Sequence, residues 1–173
     1  MNNVIENGNF EGEKLAPWEL DPPGGSPVFI RHGKGNSILL PEGLGITQTF
    51  AYKPAPMRVT FKVKAPDNAT DTEVMYVFGV LWQKAEGGLD PAFSGGFLYT
   101  TSQWVEQEIN FQAVPEMNIA TIAFRAATPG ERLLDAAATL FPAADGPFNA
   151  KHQNLKFGPV EFADFKASSS PAR

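Results

Sequence analysis

The chain has 173 residues and a net charge of −5 from 14 basic and 19 acidic residues; 43% of it is apolar, and phenylalanine occurs 14 times. That length fits one domain able to bury a core without a disulfide or metal staple, and the aromatic content excludes a disordered acidic chain. Cysteine is absent, which excludes disulfides, thiolate nucleophiles and Cys-ligated zinc.

An acidic surface repels phosphate backbones, so nucleic acid is not an expected partner. The cations Arg58, Lys62 and Lys64 alternate along one segment and read as the wet face of a strand rather than a basic patch. No run of 18 apolar residues is present, so no membrane partner is expected. The start, Met1-Asn2-Asn3-Val4-Ile5-Glu6, has neither a basic region nor an apolar one. It predicts no secretory signal and synthesis in the cytoplasm.

The 16 glycines and 15 prolines are scattered without period, which favours many short strands over a helical bundle. In chain order, residues 44–51 predict a strand, and Lys53-Pro54-Ala55-Pro56 a turn. Over 57–65, Met57, Val59, Phe61, Val63 and Ala65 alternate with Arg58, Thr60, Lys62 and Lys64, the pattern of a strand with one buried face. The apolar run 74–82 lacks strict alternation and reads as a central strand covered on both faces. Residues 85–96 carry four glycines and Asp90-Pro91, and read as a loop. Strands resume at 97–99, 104–113 and 118–126, and Thr128-Pro129-Gly130 ends the last of these. Residues 131–140 are the one helix predicted, short enough to need packing. Residues 143–154 read as loop and 155–165 as the last strand, which Gly158-Pro159 places at an edge or bulge.

Strands of this length with long connections predict an all-β, two-sheet antiparallel sandwich, most simply a jelly roll. It occupies residues 1–166 as one domain, followed by a flexible tail, 167–173.

Several segments resemble the carbohydrate-binding-module superfamily with a galactose-binding-like jelly roll. Asn7-Gly8-Asn9-Phe10-Glu11-Gly12 followed by Trp18 is similar to its opening signature. Ile46-Thr47-Gln48-Thr49-Phe50, a proline-rich turn and residues 59–65 resemble its third and fourth strands, and Ser102-Gln103-Trp104 with Asn110-Phe111 a later one. The resemblance spans about residues 4–165. It implies a non-catalytic binding module, of a kind found beside glycosidases and in phage tail and decoration proteins. It also implies a structural calcium held by Glu11 and an Asp of the final strand. The family's Ile-Asp-Asp-Val is Phe157-Gly158-Pro159-Val160 here, so that Asp is missing, and Asp164 lies six residues beyond Gly158. Calcium requires six to eight oxygen ligands, and no cofactor is expected.

No nucleophile elbow, zinc-protease helix or phosphate loop is present, so no enzymatic activity is predicted. His32 and His152 lie far apart and read as surface residues. Asn68-Ala69-Thr70 matches a glycosylation sequon but reads as a loop. Sugars stack their C–H faces on aromatic rings flanked by amides or carboxylates. The sequence offers Tyr76, Trp82, Gln83, Tyr99 and Trp104 as carbohydrate-binding candidates, with Trp82 first because it precedes the glycine-rich stretch. Against that stands a core role for Trp82, and a packing role for Trp18 and Trp104. Arg125 reads as a partner for an acid.

Two functions follow as expectations. One is an interaction protein on a phage virion surface, a capsid-decoration or tail component, whose partners are other subunits of the assembly and glycans. The alternative is the carbohydrate-binding accessory module of a glycan-degrading enzyme system.

Overall fold

The computed structural model describes residues 3–66, 73–88, 90–130 and 155–169. A 3-10 turn at Glu11–Glu13 precedes strands β1 (Glu19–Asp21), β2 (Val28–His32), β3 (Gly35–Leu40), β4 (Gly45–Ala51), β5 (Met57–Lys64) and β6 (Glu73–Gln83). Strands β7 (Ala92–Thr100), β8 (Val105–Phe111), β9 (Ile119–Ala126), β10 (Leu155–Lys156) and β11 (Val160–Ser169) complete the order.

The strands form the sandwich that the sequence predicts. One sheet runs β1-β4-β9-β6, with β7 and the short β10 both on β6; the other runs β2-β3-β11-β5-β8. Every pairing between these strands is antiparallel except the two-residue contact of β10 with β6. No helix among the described residues is long and apolar enough to cross a membrane. The helix expected over 131–140 and the loop over 143–154 lie outside the described residues.

Alternation puts one face of each sheet into a shared core. Strand β5 contributes Met57, Val59, Phe61 and Val63; β6 contributes Val74, Tyr76, Phe78, Val80 and Trp82. At the centre, Phe124 of β9 meets Phe165 of β11 at 4.5 Å between ring centroids and Phe61 at 4.9 Å. Burying each such ring contributes about 1.5–3 kcal/mol. Trp18 packs into the same cluster, 5.0 Å from Phe165, and its indole N–H donates to the Asn7 carbonyl. Asn7 in turn holds the opening segment: its amide donates to the carbonyls of Lys14 and Ala16, and its side-chain oxygen accepts from the Glu11 N–H. The opening residues thus form a hydrogen-bonded cover over the core, with Phe10 and Trp18 buried beneath.

Three elements depart from the sequence reading. Ala92 to Gly96, read as loop, are the first five residues of β7, because the ladder from Val74↔Thr100 to Trp82↔Ala92 runs without a break. Strand β11 is central, between β3 and β5, not at an edge; Gly158-Pro159 precede it, and its irregularity falls between Ala163 and Lys166, where Asp164 has φ 55. Ala167–Ser169, read as tail, continue β11 against Val59, Arg58 and Met57.

Candidate functional site

Residues on β6 that do not enter the core point to the other face of the six-stranded sheet: Met75, Val77, Gly79, Leu81 and Gln83. Register carries that face across the sheet. Gly79 pairs with Gly95 of β7 and Ala123 of β9; Ala123 pairs with Thr47 of β4, and Thr47 with Glu19 of β1. The middle of the face is therefore paved with small residues, and it is hollow. A cavity of about 220 Å³ lies there, lined by Val77, Gly79, Ala123, Gly45 and Thr47, with Phe93 at the β7 side and Asp21 and Arg125 opposite. Its volume falls below the roughly 300–1,000 Å³ of pockets that enclose a small molecule. The shape is that of a shallow trough lying across strands. From β7 to β1 the five strands span about 19 Å at roughly 4.8 Å per spacing.

The chemistry of this trough is mixed in a useful way. Phe93 is 64% exposed although it sits within a strand, and it presents an apolar ring to solvent. Facing it are a carboxylate that only accepts hydrogen bonds, a guanidinium that only donates, and the Thr47 hydroxyl, which does both. Further along the face Thr49 and Thr121 share a hydrogen bond of 2.8 Å between their hydroxyls. Beyond Val77, the outer surface closes. Met75 and Phe97 are buried there with Ala127, and Val77, Tyr99 and Phe157 pack against them.

The structure distributes the five carbohydrate-binding candidates over three places. Tyr76 and Trp82 are in the core, 0% and 2% exposed, and neither reaches a ligand from outside. The reason is period 2 along β6: Tyr76 and Trp82 share the inward face, while Met75, Val77 and Leu81 keep the outward face apolar as well and hide the alternation. Burial pushes the pKa of the Tyr76 hydroxyl up. Gln83, exposed, and Tyr99, half-buried, are on the trough face, Gln83 at the end of β6 and Tyr99 in the closed part. Trp104 belongs to the other sheet, just before β8.

Trp104 is part of a packed polar cluster. Its ring lies 4.8 Å from that of His32, and the Lys64 ammonium sits 5.0 Å from its centroid. His32 Nε2 and Lys62 Nζ approach Asp164 Oδ2 at 3.2 and 3.1 Å. Beside them Glu161, 4% exposed, accepts a 2.5 Å hydrogen bond from the Ser37 hydroxyl. Packing of Trp104 and burial of Trp18 agree with the packing role the sequence allowed both. The same cluster bears on the calcium that the resemblance implies. Glu11 is exposed, and the only described Asp near the final strand is already met by an ammonium at hydrogen-bonding distance. Among the described residues no group of three or more His, Asp or Glu is placed to hold a metal ion. These residues do not fit a calcium site, which needs several oxygen ligands and no competing cation.

Phe93 is the residue that sequence reasoning missed. Its signal was present: Phe93, Gly95, Phe97 and Tyr99 alternate, but glycines and Asp90-Pro91 made the stretch read as loop. Asp21 and Thr47 gave no local signal, since only register brings them to the trough.

No protein-family model matches the chain, and no curated protein matches it by sequence. Solved structures do. A CBM22 xylan-binding domain from Paenibacillus barcinonensis superposes with a TM-score of 0.58 at 12% identity, over 99% of this chain and 97% of that one. The chain shares its jelly-roll fold with carbohydrate-binding modules. TmCBM61, solved with β-1,4-galactotriose, is similar at TM-score 0.55 and 13% identity, over 98% of this chain and all of the other. The enzymatically active domain of tailspike protein 4 from bacteriophage CBA120 matches at TM-score 0.59 and 12% identity, over 97% of this chain. The chain spans about a fifth of that tailspike domain, 21% of its length.

Proposed function

We propose that the protein is a non-catalytic glycan-binding module whose site is the trough on the six-stranded sheet. The observation that carries this reading is Phe93, an exposed ring beside a floor of small residues, with hydrogen-bonding groups within one trough width. A pyranose ring placed on Phe93 turns its C–H face to the aromatic, and further rings of the same glycan, laid across the strands from β7 toward β1, bring hydroxyls to Arg125, Thr47 and Asp21 in turn. The fold likeness to modules crystallised with or named for xylan and β-1,4-galactotriose supports the same reading. Glycoside hydrolysis uses a pair of carboxyl groups across the bond, whereas the carboxylates that β1 brings to this face, Glu19 and Asp21, stand side by side at one end of the trough. That supports binding without catalysis.

Affinity electrophoresis against soluble xylan, mixed-linked β-glucan and galactan tests the proposal. Retardation by at least one of them is expected, and Phe93→Ala weakens it about tenfold or more, the equivalent of roughly 1.4 kcal/mol. A folded Phe93→Ala variant that is retarded like the wild type contradicts the site.

A second reading is favoured by the tailspike likeness: the module sits on a phage virion surface, where it contacts other subunits and brings glycan binding to the particle. Mass spectrometry of purified virions that finds the chain at stoichiometric level supports this. Its absence from them, with presence among secreted polysaccharide-degrading enzymes, returns the protein to the accessory-module role.

A further inference from the structure

The trough holds a relation between two residues that its lining alone does not express. A Cβ built on Gly79 would lie 2.8 Å from Phe93 Cε2 and 3.0 Å from Cζ, with Ser94 O next at 3.6 Å. A Cβ on Gly95 would lie 2.9 Å from the same Cζ. The far end of the Phe93 ring therefore comes down to the level at which neighbouring side chains would begin. The ring lies along the sheet across a glycine pair instead of standing away from it. An upright phenylalanine offers a flat ligand an edge; a reclining one offers a face, which suits the C–H-rich side of a sugar ring.

We infer that Gly79 is a positioning residue for glycan binding, acting through Phe93 by leaving the space into which the ring reclines. This rests on the trough being the glycan site. The two glycines are not equivalent as tests. A methyl on Gly95 also meets backbone, Phe78 O at 2.5 Å and Gly79 Cα at 2.7 Å, so that substitution disturbs the ladder itself. A methyl on Gly79 meets at close range only the end of the Phe93 side chain, which is free to swing away. Gly79→Ala therefore moves the platform and spares the sheet, and Gly79 has no positive φ that an alanine would strain.

The experiment is a double-mutant cycle on wild type, Gly79→Ala, Phe93→Ala and the double variant, read by affinity electrophoresis on xylan, mixed-linked β-glucan and galactan. If Gly79 acts through the ring, Gly79→Ala weakens binding about three- to tenfold, and the double variant binds no more weakly than Phe93→Ala alone. A Gly79→Ala variant that binds like wild type overturns the inference. So does a double variant that loses the same further factor as the single one, since the methyl then acts on the ligand or the sheet directly. Proton NMR supplies a readout without ligand. Ring current from Phe93 shifts the Gly79 and Gly95 Hα resonances in the wild type, and both Phe93→Ala and Gly79→Ala relax that shift. Unshifted wild-type resonances overturn the inference by themselves. If the ring-current pattern is as expected but no polysaccharide is bound, it is the glycan reading that fails, and the control of binding by Gly79 falls with it.

Discussion

Tyr76 combines complete burial with a hydroxyl that has no hydrogen-bond partner among the described residues. An unsatisfied buried polar group costs about 1–3 kcal/mol, so Tyr76→Phe is expected to stabilise the fold by about that amount. For a protein of this size each kcal/mol raises the thermal midpoint by about 2–4 °C. The hydroxyl's pH dependence has a definite sign. The folded state holds its pKa above the ordinary 10.0 because burial disfavours the phenolate. Above pH 10 the unfolded chain therefore loses a proton that the folded one keeps, and stability falls as pH rises further. Tyr76→Phe removes this contribution, which thermal scans between pH 8 and pH 11 measure; a steeper alkaline decline in the variant contradicts the account. Glycan binding by the variant stays at the wild-type level, because Tyr76 faces the core. Single residues were the hardest feature to read in the sequence. Tyr76 and Trp82 look like ligand aromatics because strand β6 is apolar on both faces, and only the sheet partners show which face is sealed.

Strands were more legible than sites. The alternation of 57–65 predicts β5 almost to the residue, since one of its faces is charged: Lys62 contacts Asp164, and Arg58 contacts Glu108 at 3.4 Å. Strand β7 was half missed because Gly95 and Gly96 weaken a strand pattern, although Gly95 here serves the close approach of Phe93. The end of β11 was missed for a different reason: Ala167-Ser168-Ser169 has no apolar bulk, and its order comes from partners distant in sequence. Ala167 is buried, its carbonyl accepts from the Val4 N–H at 2.8 Å, and its own N–H donates to Asn3 Oδ1 at 2.9 Å. Truncation after Lys166 removes these bonds together with the pairing to β5. At roughly 0.5–1.5 kcal/mol per bond it is expected to lower stability by about 2–4 kcal/mol, read as a lower denaturant midpoint. Truncation after Ser169 is the control and retains the described bonds; equal loss in both variants contradicts the role given to residues 167–169.

At the scale of the whole molecule, the two sheets divide the labour. The face built on β2, β3, β11, β5 and β8 carries the ion pairs Arg58–Glu108 and Lys62–Asp164 and the Trp104–His32 cluster. The six-stranded face leaves a hollow of small residues open beside an exposed ring. The sandwich itself was readable from turn residues and alternation, but the trough depends on register across five strands and on no local motif. NMR chemical-shift mapping during titration with whichever of xylan, mixed-linked β-glucan or galactan oligosaccharides is bound tests the central claim most directly. The account predicts shifts concentrated at Thr47, Gly79, Phe93, Ala123 and Arg125, with His32, Lys64 and Trp104 unmoved. Shifts centred on Trp104 and His32, with the trough silent, would contradict it.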